Sequence, residues 1–228
     1  MAKKKKKPAS QGIEGVESAL TKTERFIEEN QKMLTYIVLG IVVIIAGYLG
    51  YHRFILGPTE VEAQSQMFVA EQYFEKDSFN LALYGDGNYF GFLDIIDEYG
   101  ITKSKNLAFY YAGISFLNLG DYESAIDYLK KFDSDDKMVG PIASGAMGDA
   151  YFELGETDEA LSYYLKAGSV DNEFIAPVYL MKAGLILDDI GNYREALDVY
   201  ERIEKEYPET SEGREIEKYI TRVNLKLE

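Results

Sequence analysis

The chain lacks cysteine and tryptophan altogether and holds one histidine and five prolines in 228 residues. Without cysteine there is no disulfide framework, no thiolate nucleophile and no thiolate metal site, which suits an oxidising compartment without requiring one. His52 alone builds neither a zinc cluster nor a nucleophile–base pair, and at the edge of a long apolar run it reads as an interfacial residue. Cations are scarce as well: 24 Lys and Arg face 39 Asp and Glu, for a net charge of −15. Such a chain repels a phosphate backbone, so no nucleic-acid partner is expected. Asp133, Asp135 and Asp136 lack the glycine and the distal glutamate of a calcium loop, and Gly85-Asp86-Gly87 lacks the lysine of a phosphate loop. No catalytic group, cofactor or metal is expected, and the chain does not read as an enzyme.

What is present is a beat. Gly113, Gly148 and Gly184 stand 35 and 36 residues apart, and each is followed twelve residues later by an alanine, Ala125, Ala160 and Ala196. A second glycine comes seven residues after each of the first set, at Gly120, Gly155 and Gly191, where a left-handed residue ends a helix. Asp121 and Asn192 then stand ready to cap the next helix. The pattern describes helical hairpins in which a small residue on helix A meets a small residue on helix B. In this spacing the chain resembles the tetratricopeptide repeat, whose period is about 34 residues. The third unit carries the pattern best, with Leu180, Ala183-Gly184, Leu187, Ala196, Tyr200 and Pro208. Lys137 and Asn172 fill the first two proline slots, and the tryptophan of the pattern is missing. The resemblance implies an all-α solenoid over residues 101–228, closed by a last helix with Ile216, Ile220, Val223 and Leu227 on one side. Residues 57–100 read as a degenerate first repeat: a helix opened by Thr59-Glu60-Val61-Glu62, a Gly85–Asn88 turn, and a second helix over 89–99 with Gly91 as its small packing residue.

From Met33 to Tyr51 there is no charged residue, which is close to the roughly 20 residues a bilayer-crossing helix needs. Tyr36, Tyr48 and Tyr51 flank the run as interfacial aromatics. About 32 residues precede it and no small-x-small cleavage site follows, so residues 33–56 are expected to stay as a signal anchor, broken at Gly57-Pro58. Residues 1–32 carry eight basic and five acidic side chains, five of the basic ones in Lys3–Lys7. Beyond the run, Arg53 is the sole basic residue before Lys76. The positive-inside rule therefore puts the N-terminus in the cytoplasm and the acidic repeats on the far side. Ile13, Leu20 and Ile27 repeat every seven residues and mark a short amphipathic helix in the tail.

With no active site, function is expected in the concave groove, which helix A side chains line. Counting from the packing glycines gives Leu107, Tyr110, Ile114, Leu117 and Asn118 in the first clear repeat. The second offers Ile142, Asp149, Phe152 and Glu153, and the third Val178, Met181, Leu185, Asp188 and Asp189. This groove is apolar with an acidic rim and lacks the Lys, Asn and Arg set that clamps a peptide carboxylate. An apolar helix or extended peptide is the expected ligand, and a basic flank would suit the rim.

Lysine-rich tail, single anchor and acidic repeats together are similar to the YfgM-type inner-membrane proteins of Gram-negative bacteria. That resemblance implies a bacterial inner-membrane, single-pass protein with periplasmic repeats. It also implies a non-enzymatic scaffold whose partners are translocon subunits, a membrane-anchored periplasmic chaperone or an emerging secretory chain. Self-assembly into a homo-oligomeric envelope component stays open as the alternative.

Overall fold

The structure, a computed structural model, describes residues 24–228. The Lys3–Lys7 run and the heptad positions Ile13 and Leu20 lie outside the described residues. Two units are distinguished, one ending at Gly57 and one running from Pro58 to Glu228. Among the described residues every regular element is helical.

In the first unit, α1 (Gln31–Tyr51) buries none of its residues. Its side chains Ile37, Val38, Leu39 and Ile41 to Ile45 are exposed, and its best 18-residue stretch has a mean hydropathy of 2.3. By length and composition this helix is sufficient to cross a membrane. The expected break at Gly57-Pro58 is instead a π-helical turn, His52–Leu56, in which Gly57 N–H donates to His52 C=O five residues back. A wider turn suits a following proline, which has no N–H to give and whose ring crowds the carbonyl four residues earlier.

The second unit opens with α2 (Gly57–Phe74), α3 (Phe79–Tyr84) and α4 (Phe92–Glu98). Ala63, Met67 and Ala70 of α2, Leu83 of α3 and Phe92 and Ile95 of α4 join the core beside Ala108 and Ala112 of α5 (Lys103–Leu119). Phe92 stacks on Tyr111 at 4.9 Å. The helix expected over 89–99 starts later than the sequence implied, and Gly91 is not its packing residue. Gly91 is its N-cap: a Cβ there would lie 2.2 Å from the Leu83 carbonyl oxygen, and the Asp94 carboxylate accepts from Gly91 N–H. Asp86 holds the preceding turn by accepting from the N–H groups of Asn88 and Tyr89 and from the Tyr73 hydroxyl. Glu60 does more than open a helix. Its carboxylate accepts from Lys103 N–H at 2.6 Å, Ser104 N–H at 3.2 Å and the Ser104 hydroxyl at 2.7 Å, capping α5 across 43 residues of chain.

Three hairpins follow: α5 with α6 (Tyr122–Leu129), α7 (Val139–Glu153) with α8 (Thr157–Ala167), and α9 (Ala176–Asp189) with α10 (Tyr193–Glu206). Each A helix ends on a glycine in the left-handed region, with φ of 81° at Gly120, 78° at Gly155 and 83° at Gly191. Asp121 caps α6 by accepting from Ser124 N–H. Asn192 occupies the same place before α10 but makes no capping bond with its side chain. Ala125, Ala160 and Ala196 are fully buried. The packing glycines, however, meet the residue four positions beyond each alanine. A Cβ on Gly113 would strike Leu129, one on Gly148 Tyr164 and one on Gly184 Tyr200, all within 2.3–2.7 Å. Absence of a side chain on helix A is thus what seats the large side chain on helix B.

The expected closing helix is divided into α11 (Ser211–Glu215), capped by Thr210, and α12 (Glu217–Leu227). Ile216 and Val223 are buried against Tyr200 and Ile203, whereas Leu227 is exposed.

Candidate functional site

Successive A helices leave a cleft of about 810 Å³ on the face they share. Leu117 of α5, Phe152 and Glu153 of α7, and Lys182, Leu185 and Ile186 of α9 line it, with Tyr122, Thr157 and Tyr164 contributed by the B helices and Asp189 and Ile190 by the end of α9. Phe152 is 51 % exposed, Ile190 49 % and Leu185 39 %, a high fraction for large apolar side chains in a folded domain. They remain exposed because α7 and α9 seat Tyr164 and Tyr200 at Gly148 and Gly184 and leave these apolar side chains outside the hairpin packing.

Polar contacts under this surface form one cluster around Asp149. Its Oδ1 accepts from the Tyr164 hydroxyl at 2.6 Å and from Lys182 Nζ at 2.5 Å. Lys182 also lies over the rings of Tyr164 and Tyr179, 5.3 and 5.6 Å from their centroids. Tyr179 reaches this place because residue 145 is glycine; a Cβ there would lie 2.0 Å from its ring. Burial, and then the Asp149 bond, push the Tyr164 hydroxyl well above the ordinary tyrosine range. Tyr179 is pushed up to about 12 by burial and by the Asp149 charge. Both phenols stay neutral donors and ring faces at any ordinary pH. Both can donate a hydrogen bond and present an aromatic face to the cleft side of the cluster.

Leu117, Asp149, Phe152 and Leu185, with Glu153 and Asp189, come together at the cleft. The other groove candidates do not. Tyr110 and Ile114 pack with Leu129 and Phe132 in a separate small cluster, Tyr110 lying 5.4 Å from the Phe132 ring. Leu107 packs onto the first repeat's core and Met181 onto the last. Asn118 donates to the Ile114 carbonyl, Ile142 is half-buried, and Val178 is exposed near the start of α9. Asp188 is corrected outright: it is 5 % exposed and paired with Arg222 and Lys226, so α12 covers the surface it was expected to line. Asp149 is likewise no bare rim charge, because Lys182 answers it. Lys182, Tyr164 and Tyr179 are not among the sequence candidates, because positions were counted along each A helix by itself and Tyr164 lies on a B helix. The available signal was distance along the chain: Asp149 and Lys182 are 33 residues apart, close to one repeat.

Models of the tetratricopeptide repeat match residues 110–174 and 179–210. No curated protein matches the chain. Among solved structures, the chain is similar to a kinesin light chain protein of Podosopora anserina with nearly identical tetratricopeptide-like repeats, at a TM-score of 0.54 and 11 % identity, covering 73 % of this chain and 86 % of that one. At that identity the likeness speaks for the fold alone. The two matched stretches, 110–174 and 179–210, are thus similar to tetratricopeptide repeats, and the described residues form an all-helical, tetratricopeptide-like solenoid.

Proposed function

We propose that the protein is a membrane-anchored docking scaffold that holds a protein partner in the cleft lined by α7 and α9. The observation that carries this reading is the exposed apolar floor of Phe152, Leu185 and Ile190, kept out of the core by a repeat packing that has no use for it. α1 supplies the anchor: its apolar length suits a bilayer, and the charge asymmetry of its flanks directs the N-terminus to the cytoplasm and the repeats to the periplasm of a bacterial inner membrane. The resemblance in architecture to YfgM-type proteins supports a place near the Sec translocon, with translocon subunits, a membrane-anchored chaperone or emerging secretory chains as partners.

Two measurements test the reading. Alkaline extraction of membranes should leave the native protein in the membrane pellet; recovery in the soluble phase would sink the anchor. A photo-crosslinking residue in place of Phe152, used in living cells, should capture translocon subunits, a periplasmic chaperone or exported chains. Crosslinks confined to copies of this chain would replace the scaffold by the self-assembling envelope component.

A further inference from the structure

Two kinds of carboxylate border the cleft, and only one kind is neutralised. Asp149 is answered by Lys182, the one cationic side chain among the residues that line the site. Glu153 and Asp189 take no cation in any ion pair among the described residues; the nearest polar partner of Glu153 is the neutral Tyr122 hydroxyl at 3.5 Å. The cleft thus combines apolar side chains with two carboxylates that no cation answers, and Phe152 and Tyr122 are among the same lining residues.

We propose that the cleft selects its partner by charge as well as by apolar contact, taking a short segment in which one or two bulky apolar side chains are flanked by lysine or arginine. The inference rests on the docking reading given above and names the occupant. Phe152, Leu185 and Ile190 receive the apolar side chains, and Glu153 and Asp189 receive the flanking cations. A volume of about 810 Å³ holds a few side chains rather than a domain, and lies inside the roughly 300–1,000 Å³ of ordinary ligand pockets. An arginine at the flank gains twice, from the carboxylates and from stacking over the adjacent ring. A second copy of this chain is the poorer occupant, because a protein with a net charge of −15 would bring like charges to an already negative site.

The test is binding of two fluorescein-labelled peptides to the full chain in lipid nanodiscs. Both carry the same leucine and phenylalanine core; one is flanked by lysines and the other by glutamates. The lysine-flanked peptide should bind at least about tenfold more tightly, and its advantage should shrink as salt shortens the screening length below about 8 Å. Phe152→Ser should abolish binding of the lysine-flanked peptide. Glu153→Gln combined with Asp189→Asn should leave an apolar affinity while erasing the preference. All three side chains are exposed, so the variants should fold, and unchanged circular dichroism and melting would show that they do. Equal affinity for the two peptides, no binding of either, or a preference that survives the double substitution overturns the inference. If the peptides fail while in-cell crosslinks from position 152 still capture a foreign protein, docking stands and the charge rule falls. Crosslinks between copies that disappear in a Leu185→Ser background would assign the cleft to a second copy and overturn the proposal.

Discussion

Asp149 and Asp188 stand on consecutive A helices and are both answered by cations about one repeat further along the chain, yet their surroundings differ sharply. Asp149 keeps a third of its side chain exposed, pairs with Lys182 alone and borders an open cleft. Asp188 is 5 % exposed and is held by both Arg222 and Lys226 of α12, while Lys226 also covers the Tyr193 ring. The internal junction is bordered by an open cleft; the terminal junction is closed. The same device, a carboxylate on one A helix meeting a cation about one repeat further along the chain, borders a cleft in the first case and acts as a clasp in the second. A solenoid has to end somewhere, and a terminal helix that spends its cations on the last repeat is one way to end it.

The closed junction can be broken hardest through Tyr200, which fills the space opposite Gly184 and abuts α12. Tyr200→Ala should cost about 3–5 kcal/mol in urea unfolding followed by far-ultraviolet circular dichroism, with the last repeat and α12 lost together. Asp188→Asn comes next, at about 1–2 kcal/mol, because Arg222 and Lys226 are half-exposed and regain water when released. Asp149→Asn, at the open junction, should cost less than Asp188→Asn and should lower peptide binding through the loosened Lys182, so a loss larger at 149 than at 188 would overturn the contrast. A double-mutant cycle of Asp188 with Lys226 should give a coupling larger than that of Asp149 with Lys182. A smaller effect lies at the start of the repeats. Burial pushes the Glu60 carboxyl up, but bonds from the Ser104 hydroxyl, Lys103 N–H, Gln64 and Ser104 N–H outweigh it and hold it below the ordinary glutamate range. A lowered folded value means the stabilisation is present above the unfolded value of about 4.3 and is lost as pH falls through the folded one. Glu60→Gln should cost about 1 kcal/mol at pH 7 and remove that acid-side slope. The Tyr179 phenol works in the opposite direction: stability should be unaffected below pH about 10 and should fall as pH rises from there towards about 12.

The hairpins were legible because glycine was the signal and glycine has few other reasons to recur at 35 and 36 residues. The left-handed φ at Gly120 and the burial of Ala125 follow from that beat directly. Which helix B side chain the packing glycine receives was not legible from small residues alone, since a small residue marks a vacancy without naming its occupant. Half of the cleft was legible by counting from the three packing glycines, and Gly148 put Phe152 and Glu153 on the open face. Lys182 and the fate of Asp188 were missed for one reason: opposite charges one repeat apart meet across adjacent helices, and the sequence was read within repeats instead of between them. Glu60 lay beyond either method. Its 43-residue reach to Lys103 follows no period, because α3 and α4 are too short to make a regular second helix.

That reach sets where the chain can be cut. A fragment that starts at residue 101, the first residue of the clear repeats, would keep the Thr102 cap on Lys105 N–H but leave the Lys103 and Ser104 amides of α5 without the Glu60 acceptor, and would strip Ala63, Met67 and Phe92 from the face of Ala108 and Ala112. A fragment that starts at Pro58 removes α1 and keeps both the cap and the cover. Expression trials should therefore favour the longer piece, although the shorter one contains every recognisable repeat.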